Sequence, residues 1–319
     1  MADTDDRWHV LLPSHLHPAG PESLADMATF ASLDDYGDRA ALLADADRFD
    51  AVVFRMLDPD REFVEAATNL KVLAKHGVGL DGVDVDAATE RGVVVCNTPG
   101  ANAHAVAEHT LALLFAVRRR LREADRDVRN GEFERDRYVA GELRGDTLGV
   151  LGCGDIGSEV AALADAVGMD VITHDPYLRT FPDAVSPVES RAELFAAADA
   201  VSLHVPLTEE TRGLVDADEL ASLDGELINV ARGGVVDETA LYDALAAGTV
   251  TGAGVDVYDE EPPGEDYPAF DFENVICTPH IGAMTTDALR AASTQACENV
   301  RTVYAGGVPE SAVNSEAVR

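Results

Sequence analysis

The chain has 319 residues, 46% of them hydrophobic, and a net charge of −35 from 24 Lys and Arg against 59 Asp and Glu. At about 150 residues per domain this is enough for two domains with cores of their own. The charge argues against binding to nucleic acid or to anionic membrane, no apolar run reaches the ~18 residues of a membrane span, and the acidic start, MADTDDRW, lacks the apolar segment of a secretory signal. Acidic residues run along the whole length, and lysine occurs only at Lys71 and Lys75. Such self-repulsion suits the salt-loaded cytoplasm of an extreme halophile, where molar salt shortens the screening length to ~3 Å. The cysteines, at 96, 153, 277 and 297, show no Cys-x-x-Cys spacing, so reduced cytosolic thiols are expected.

In chain order, WHVLL (8–12), DAVVFRM (50–56), LKVLAKH (70–76) and VVVC (93–96) read as buried strands. PDREFVEAA (59–67) and DVDAATER (84–91) read as the helices between them, which is βα alternation with a parallel sheet. NTPG (97–100) is a turn. One long helix is expected over 102–129, with Val106, Leu113, Leu114 and Val117 as its apolar stripe; its length suits an element that crosses a domain or subunit boundary. From Thr147 the alternation restarts with TLGVLG, a helix from about Ser158, and DVITHD. In SRAELFAAAD, Ser190 and Glu193 have the spacing of a capping box. AVSLHV (200–205), LINVA (227–231), AGVDVY (253–258) and NVICT (274–278) complete a second set of strands, and the residues from about Thr285 read as one helix and a tail. The fold class is α/β, with two doubly wound parallel-sheet (Rossmann-like) domains.

LGVLGCGDIG (148–157) is a Gly-x-Gly-x-x-Gly run between an expected strand and an expected helix. Gly152 allows the tight turn, Gly154 lets a pyrophosphate approach the backbone, and Gly157 lets the helix pack against the strand, with the phosphates at the helix N-terminus. Asp175 ends the next strand, close to the expected ~20 residues on. A carboxylate there accepts hydrogen bonds from the adenine ribose and repels a 2′-phosphate, which favours NAD; Arg179 keeps NADP open. Asp155, inside the loop, has to point away from a pyrophosphate into solvent.

Three further residues stand at expected strand ends, where open α/β sheets bind ligands. Arg232, in NVARGG, suits a planar carboxylate through two parallel hydrogen bonds, with a surface salt bridge as the alternative. Glu261, before a diproline, and His280, in TPHIGA, are a candidate pair. A carboxylate beside an imidazole fixes its tautomer and favours the imidazolium, which a general acid near neutrality requires. Asp256, within an apolar strand, needs donor partners. His104 and His109 flank Glu108 without the spacing of a zinc-binding helix, so no metal site is expected. His15 and His17 read as solvated loop residues, His174 as a neighbour of the adenine site, and His204 as structural. No nucleophile elbow is present.

The ordered motifs GCGDIG, HVPLT, NVARGG, GVDVYDEEP and TPHIGA, with the segment 75–110, resemble the D-isomer-specific 2-hydroxyacid dehydrogenase family over nearly the whole chain. That family includes glyoxylate/hydroxypyruvate reductases and phosphoglycerate dehydrogenases. The resemblance implies catalytic roles for Arg232, Glu261 and His280. It implies substrate binding by the amides of Val78 and Gly79, together with Arg232 and His280. It implies cofactor binding by Gly152, Gly154, Asp155, Ile156, Gly157, Asp175, Val205, Pro206, Val230, Ala231, Asp256, His280 and Gly282. Many relatives have arginine where this chain has Asp155. The resemblance also implies a substrate domain of 1–99 plus 285–319, an NAD-binding domain of 100–284, a cleft between them, and a homodimer through 102–129. The further C-terminal regulatory domain of some phosphoglycerate dehydrogenases is not expected. The expected activity is hydride transfer between NAD, or NADP, and a small 2-oxoacid or 2-hydroxyacid. An NAD-sensing protein of the same fold, a phosphoglycerate dehydrogenase without a regulatory domain, and a dehydrogenase of formate or phosphite are the alternatives.

Overall fold

The computed structural model describes residues 7–316. They form two compact units, one of the residues up to Asn102 together with those from Thr285, the other of Ala103–Met284.

The first unit runs β1 (Trp8–Leu12), α1 (Ala19–Ser23), β2 (Ala28–Ser32), α2 (Arg39–Ala44), β3 (Ala51–Phe54), α3 (Arg61–Ala66), β4 (Val72–Lys75), α4 (Val85–Glu90) and β5 (Val94–Cys96). Its parallel sheet has the order β2-β1-β3-β4-β5. β3 is buried at all four positions, as a parallel strand covered on both faces must be. Successive residues feed opposite faces: Leu11 and Val52 join a core with Phe49, Phe54 and Phe63, while Val10 and Val53 join one with Ala296, Cys297 and Val300. Aspartates cap the helices on the first face, with Asp38, Asp60 and Asp84 each accepting a backbone N–H.

The second unit runs α5 (Ala103–Arg118), α6 (Leu121–Arg129), β6 (Thr147–Leu151), α7 (Asp155–Ala166), β7 (Asp170–His174), β8 (Ser186–Pro187), α8 (Arg191–Ala197), β9 (Ala200–Leu203), α9 (Ala217–Ser222), β10 (Gly225–Asn229), α10 (Glu238–Ala247), β11 (Val250–Val255) and β12 (Val275–Cys277). Its parallel sheet has the order β12-β11-β10-β9-β6-β7-β8. α5 and α7 cover one face, through Val106, Leu114 and Val160; α8, α9 and α10 cover the other, through Phe195, Leu220 and Leu241. The strand order reverses between β6 and β9, the position at which open α/β sheets bind ligands. α11 (Thr286–Tyr304) then returns to the first unit, packing on α1. The following segment straps the edge strand β5, with Asn314 accepting from the Val95 N–H and donating to the Val93 carbonyl.

Several expectations need correction. The single helix over 102–129 is two helices, because Arg120 sits at φ 51, in the left-handed region that a right-handed helix cannot pass through. Arg120 is held there by an ion pair with the buried Glu123 and by stacking on Tyr138, 5.5 Å from the ring centroid. Ser190 caps α8 as expected, but the Glu193 carboxylate takes the Glu189 N–H instead of the Ser190 N–H, so the box does not close. A closed box occurs at α9, between Asp216 and Glu219. β2, β8, α1, α2, α9 and α10 have no counterpart in the sequence reading. α7 starts at Asp155, three residues ahead of expectation, and Asp256 follows β11 instead of lying inside it.

Candidate active site

β6 ends at the glycine run. Gly152 has φ 88, and a side chain there would strike Val205 Cγ1 at 2.9 Å and the His204 carbonyl oxygen at 3.0 Å. This is the switch point, where the chain leaves β6 beside the end of β9. A Cβ on Gly157 would run into the Gly152 carbonyl oxygen, so the first turn of α7 packs directly on the loop. Gly154 differs from both. A Cβ there would meet nothing within 4 Å, and no side chain caps α7. The protein's own packing gives no reason for glycine at 154, whereas a group lying against the loop would. An uncapped helix N-terminus under open space is a place for phosphate oxygens. The residues therefore fit a dinucleotide pyrophosphate. Asp155 is exposed at the start of α7, as expected of a carboxylate turned to solvent. Asp175, just past β7, accepts the Cys153 N–H on one oxygen at 2.9 Å and the Tyr177 N–H on the other at 3.0 Å, which ties it to the glycine loop.

On the other side of the sheet the ends of β10, β11 and β12 are adjacent. His280 lies three residues beyond β12 with φ 52, uncommon for a residue with a Cβ. Its Nδ1 is 2.8 Å from Glu261 Oε2. The other Glu261 oxygen accepts the Tyr258 N–H at 3.2 Å. The carboxylate is thus held from behind, and Nδ1 is turned to it, which leaves Nε2 as the imidazole's outward nitrogen. The two side chains are 49% and 34% exposed, so the pair is reachable from solvent. Tyr258 links the strand ends again, donating its hydroxyl to the Thr278 carbonyl at 2.8 Å.

Arg232 follows β10. Its carbonyl accepts from Asn229 Nδ2 at 3.0 Å and its Nη1 donates to the Ala231 carbonyl at 2.6 Å. The next residue, Gly233, lies so close to the Tyr258 backbone that a Cβ would collide with its carbonyl carbon. That contact sets the Arg232 loop against the Glu261 loop. Val230 and Ala231 are buried, at 8% and 7% exposure.

Asp256 is 1% exposed. Burial alone would raise its pKa, but hydrogen bonds from His109, Thr278 and the Ile281 and Gly282 N–H groups outweigh that and hold the carboxyl below its ordinary value. His109 was read from the sequence only as part of a rejected metal motif; its place beside Asp256 has no local sequence signal. His204, read from the sequence as structural, bonds Ser202 Oγ through Nε2 at 3.0 Å, while its Nδ1 is enclosed without a hydrogen-bond partner. Burial pushes its pKa down to about 3.

Val78 and Gly79 belong to the first unit, in the turn after β4. The Val78 carbonyl accepts from Asn97 Nδ2 at 2.9 Å, and the neighbouring Gly77 N–H donates to Thr98 Oγ1 at 2.9 Å. The amides of this turn are thereby fixed against the NTPG turn. Among the described residues, no group of three or more His, Cys, Asp and Glu side chains is gathered as a metal would need, and no helix is long and apolar enough to cross a membrane.

A doubly wound domain with a glycine loop at its switch point and an imidazole–carboxylate pair at its strand ends is an architecture suited to a nicotinamide-dependent dehydrogenase. Residues 111–282 match the family model described as "D-isomer specific 2-hydroxyacid dehydrogenase, NAD binding domain". The chain belongs to the D-isomer specific 2-hydroxyacid dehydrogenase family. It is 40% identical over 286 residues to D-3-phosphoglycerate dehydrogenase of Archaeoglobus fulgidus, an alignment covering 88% of this chain and 54% of that one. It spans about half the length of the curated relatives it matches, from 42% to 58%. Among solved structures it is similar to a protein of Thermus thermophilus, at TM-score 0.88 and 36% identity, over 96% of this chain and 99% of that one. It is also similar to the NADPH-dependent glyoxylate/hydroxypyruvate reductase of Sinorhizobium meliloti in complex with NADP and malonate, at TM-score 0.85 and 31% identity, over 96% and 97%.

Proposed function

We propose that the protein is a D-2-hydroxyacid dehydrogenase that acts mainly as a reductase of small 2-oxoacids, with NAD as its cofactor. The observation that carries this is the 2.8 Å contact between His280 Nδ1 and Glu261, at the end of a strand in a domain of this family. Reduced nicotinamide supplies the hydride that the substrate's carbonyl carbon accepts. Arg232 pairs with the substrate carboxylate and polarises the carbonyl, and the amides of Val78 and Gly79 are assigned to substrate binding as well. His280, with Nδ1 on Glu261, gives its Nε2 proton to the developing alkoxide, which leaves a 2-hydroxyacid. Gly152, Gly154, Asp155, Ile156 and Gly157 form the pyrophosphate cradle; Asp175 takes the adenine ribose; Val205, Pro206, Val230, Ala231, Asp256 and Gly282 line the remainder of the cofactor site.

Residues 1–99 with 285–319 act as the substrate domain and 100–284 as the cofactor domain. The chain works as a homodimer through 102–129. Leu121 and Val128 on α6 and Phe133 and Val139 after it are all more than half exposed, a concentration of apolar side chains that a second copy would cover. The charge of −35 supports a cytoplasmic protein of a halophile.

The test is oxidation of NADH and of NADPH in molar KCl with glyoxylate, hydroxypyruvate, pyruvate, 2-oxoisocaproate and phosphohydroxypyruvate. Turnover with one oxoacid, preferring NADH and giving the D product, is the expected result. NADH binding with no oxoacid reduced would replace this reading with that of an NAD-sensing protein.

A further inference from the structure

The Asp256 carboxylate is filled by its own chain. Oδ1 accepts from Thr278 Oγ1 at 2.6 Å and from the Ile281 N–H at 2.9 Å, and lies 3.3 Å from His109 Nε2; Oδ2 accepts from the Gly282 N–H at 2.8 Å. Thr278, Ile281 and Gly282 stand on either side of His280, which has a left-handed backbone. A carboxylate that binds residues 278, 281 and 282 at once fixes both ends of a turn that an L-residue does not readily hold at its centre.

Three of the four donors are in the turn itself and would move with it. The fourth is not. His109 comes from α5, whose Val106, Ala107, Leu113 and Leu114 are buried against the sheet. Its Nε2 is 3.1 Å from Thr278 Oγ1 as well as 3.3 Å from Asp256 Oδ1. Thr278 has one hydroxyl hydrogen, directed at Asp256, so towards His109 its oxygen can only accept. A lone pair on Nε2 would face two oxygen acceptors; the nitrogen must carry the hydrogen. The ring also packs near Gly282, where an added Cβ would be 3.6 Å from His109 Cδ2.

We propose that His109 is a positioning residue for His280: from a fixed helix, its Nε2–H anchors the Asp256–Thr278 pair and so holds the His280 turn in register. This rests on the reading of His280 as the proton donor. It assigns His109 no contact with substrate or cofactor.

The test compares His109→Phe, which keeps a flat ring without the donor, with His109→Gln, which restores an N–H on a side chain of similar reach. In steady state His109→Phe is expected to lower kcat by ~10- to 100-fold, since small misplacements of a catalytic group cost rates of that order. Its NADH dissociation constant should stay within about threefold of wild type, and His109→Gln should recover most of the loss. In the cofactor-free protein, exchange of the Ile281 and Gly282 amide hydrogens should be ~10-fold or more faster in His109→Phe, and near wild type in His109→Gln. A kcat within about twofold of wild type, a loss of NADH affinity equal to the loss of kcat, or unchanged exchange at 281 and 282 would each overturn the proposal. If the wild-type chain reduces no oxoacid, the functional reading falls, and the exchange comparison still decides whether His109 holds the turn.

Discussion

The seven-stranded sheet carries two half-sites built on opposite principles. Around β6, β7 and β9 the site is made of main chain and of missing side chains: a turn at φ 88, a helix touching the loop at Gly157, and open space over Gly154. Around β10, β11 and β12 it is made of side chains locked by hydrogen bonds: Glu261 on His280, and Asp256 on the turn around it. The first half needs only that nothing be added. The second needs several groups, remote in sequence, to arrive with matched donors and acceptors. Substitutions should therefore fail differently on the two sides.

The largest effect is expected in the side-chain half. His280→Ala should lower kcat by ~10²- to 10⁴-fold, the range for loss of a positioned proton donor, with NADH affinity little changed and the melting temperature kept; comparable loss of affinity would blur the two halves into one. In the main-chain half, two glycines separate packing from binding. Gly157→Ala forces a Cβ into the Gly152 carbonyl and should destabilise the fold by about 1–3 kcal/mol, read by denaturant midpoint. Gly154→Ala meets no protein atom, so stability should hold while the NADH dissociation constant rises, by a factor of about 10 if one close phosphate contact is lost. A Gly154→Ala protein that binds NADH normally would mean the open space is not a cofactor cradle.

Burial depresses the pKa of His204, to about 3, and also those of His76 and His9. In the unfolded chain these rings take up a proton near pH 6.5; in the folded chain they do so only at lower pH. The unfolded state thus binds more protons below that pH, so stability is fully present above about 6.5 and falls as the pH drops. His204 alone contributes a slope approaching about 1.4 kcal/mol per pH unit, continuing down to about pH 3. His204→Asn should flatten the melting temperature against pH over this window. The smallest effect is expected for Tyr258→Phe, which removes the hydroxyl bond to the Thr278 carbonyl and should cost about 1 kcal/mol of stability.

The same contrast explains what could be read in the sequence. The glycine half is a local pattern, and GCGDIG with Asp175 marked its position and strand context from one stretch and the next strand. Most strands were legible because parallel strands buried on both faces are unbroken apolar runs, as in AVVF of β3 and TLGVL of β6. β2 was missed because ATFAS is an edge strand with one buried position and no such run. The break at Arg120 was missed because RRRL contains neither Gly nor Pro; an ion pair to Glu123, three residues on, and a ring contact to Tyr138 hold the turn. In the side-chain half, strand-end reasoning singled out Arg232, Glu261 and His280, and required donors for Asp256. It could not say that one donor would be His109, because that pairing is a long-range contact without a local motif.

The central claim is that a strand-end histidine held by Glu261 protonates a 2-oxoacid as the nicotinamide is oxidised. The most direct test mixes NADH-loaded wild-type and His280→Ala proteins with the preferred oxoacid in molar KCl and follows reduced-nicotinamide absorbance together with the 2-hydroxyacid formed. The account predicts equimolar loss of NADH and gain of product in the wild type, slowed by ~10²- to 10⁴-fold in the variant. NADH that binds without being consumed, or a variant that turns over at the wild-type rate, would contradict it.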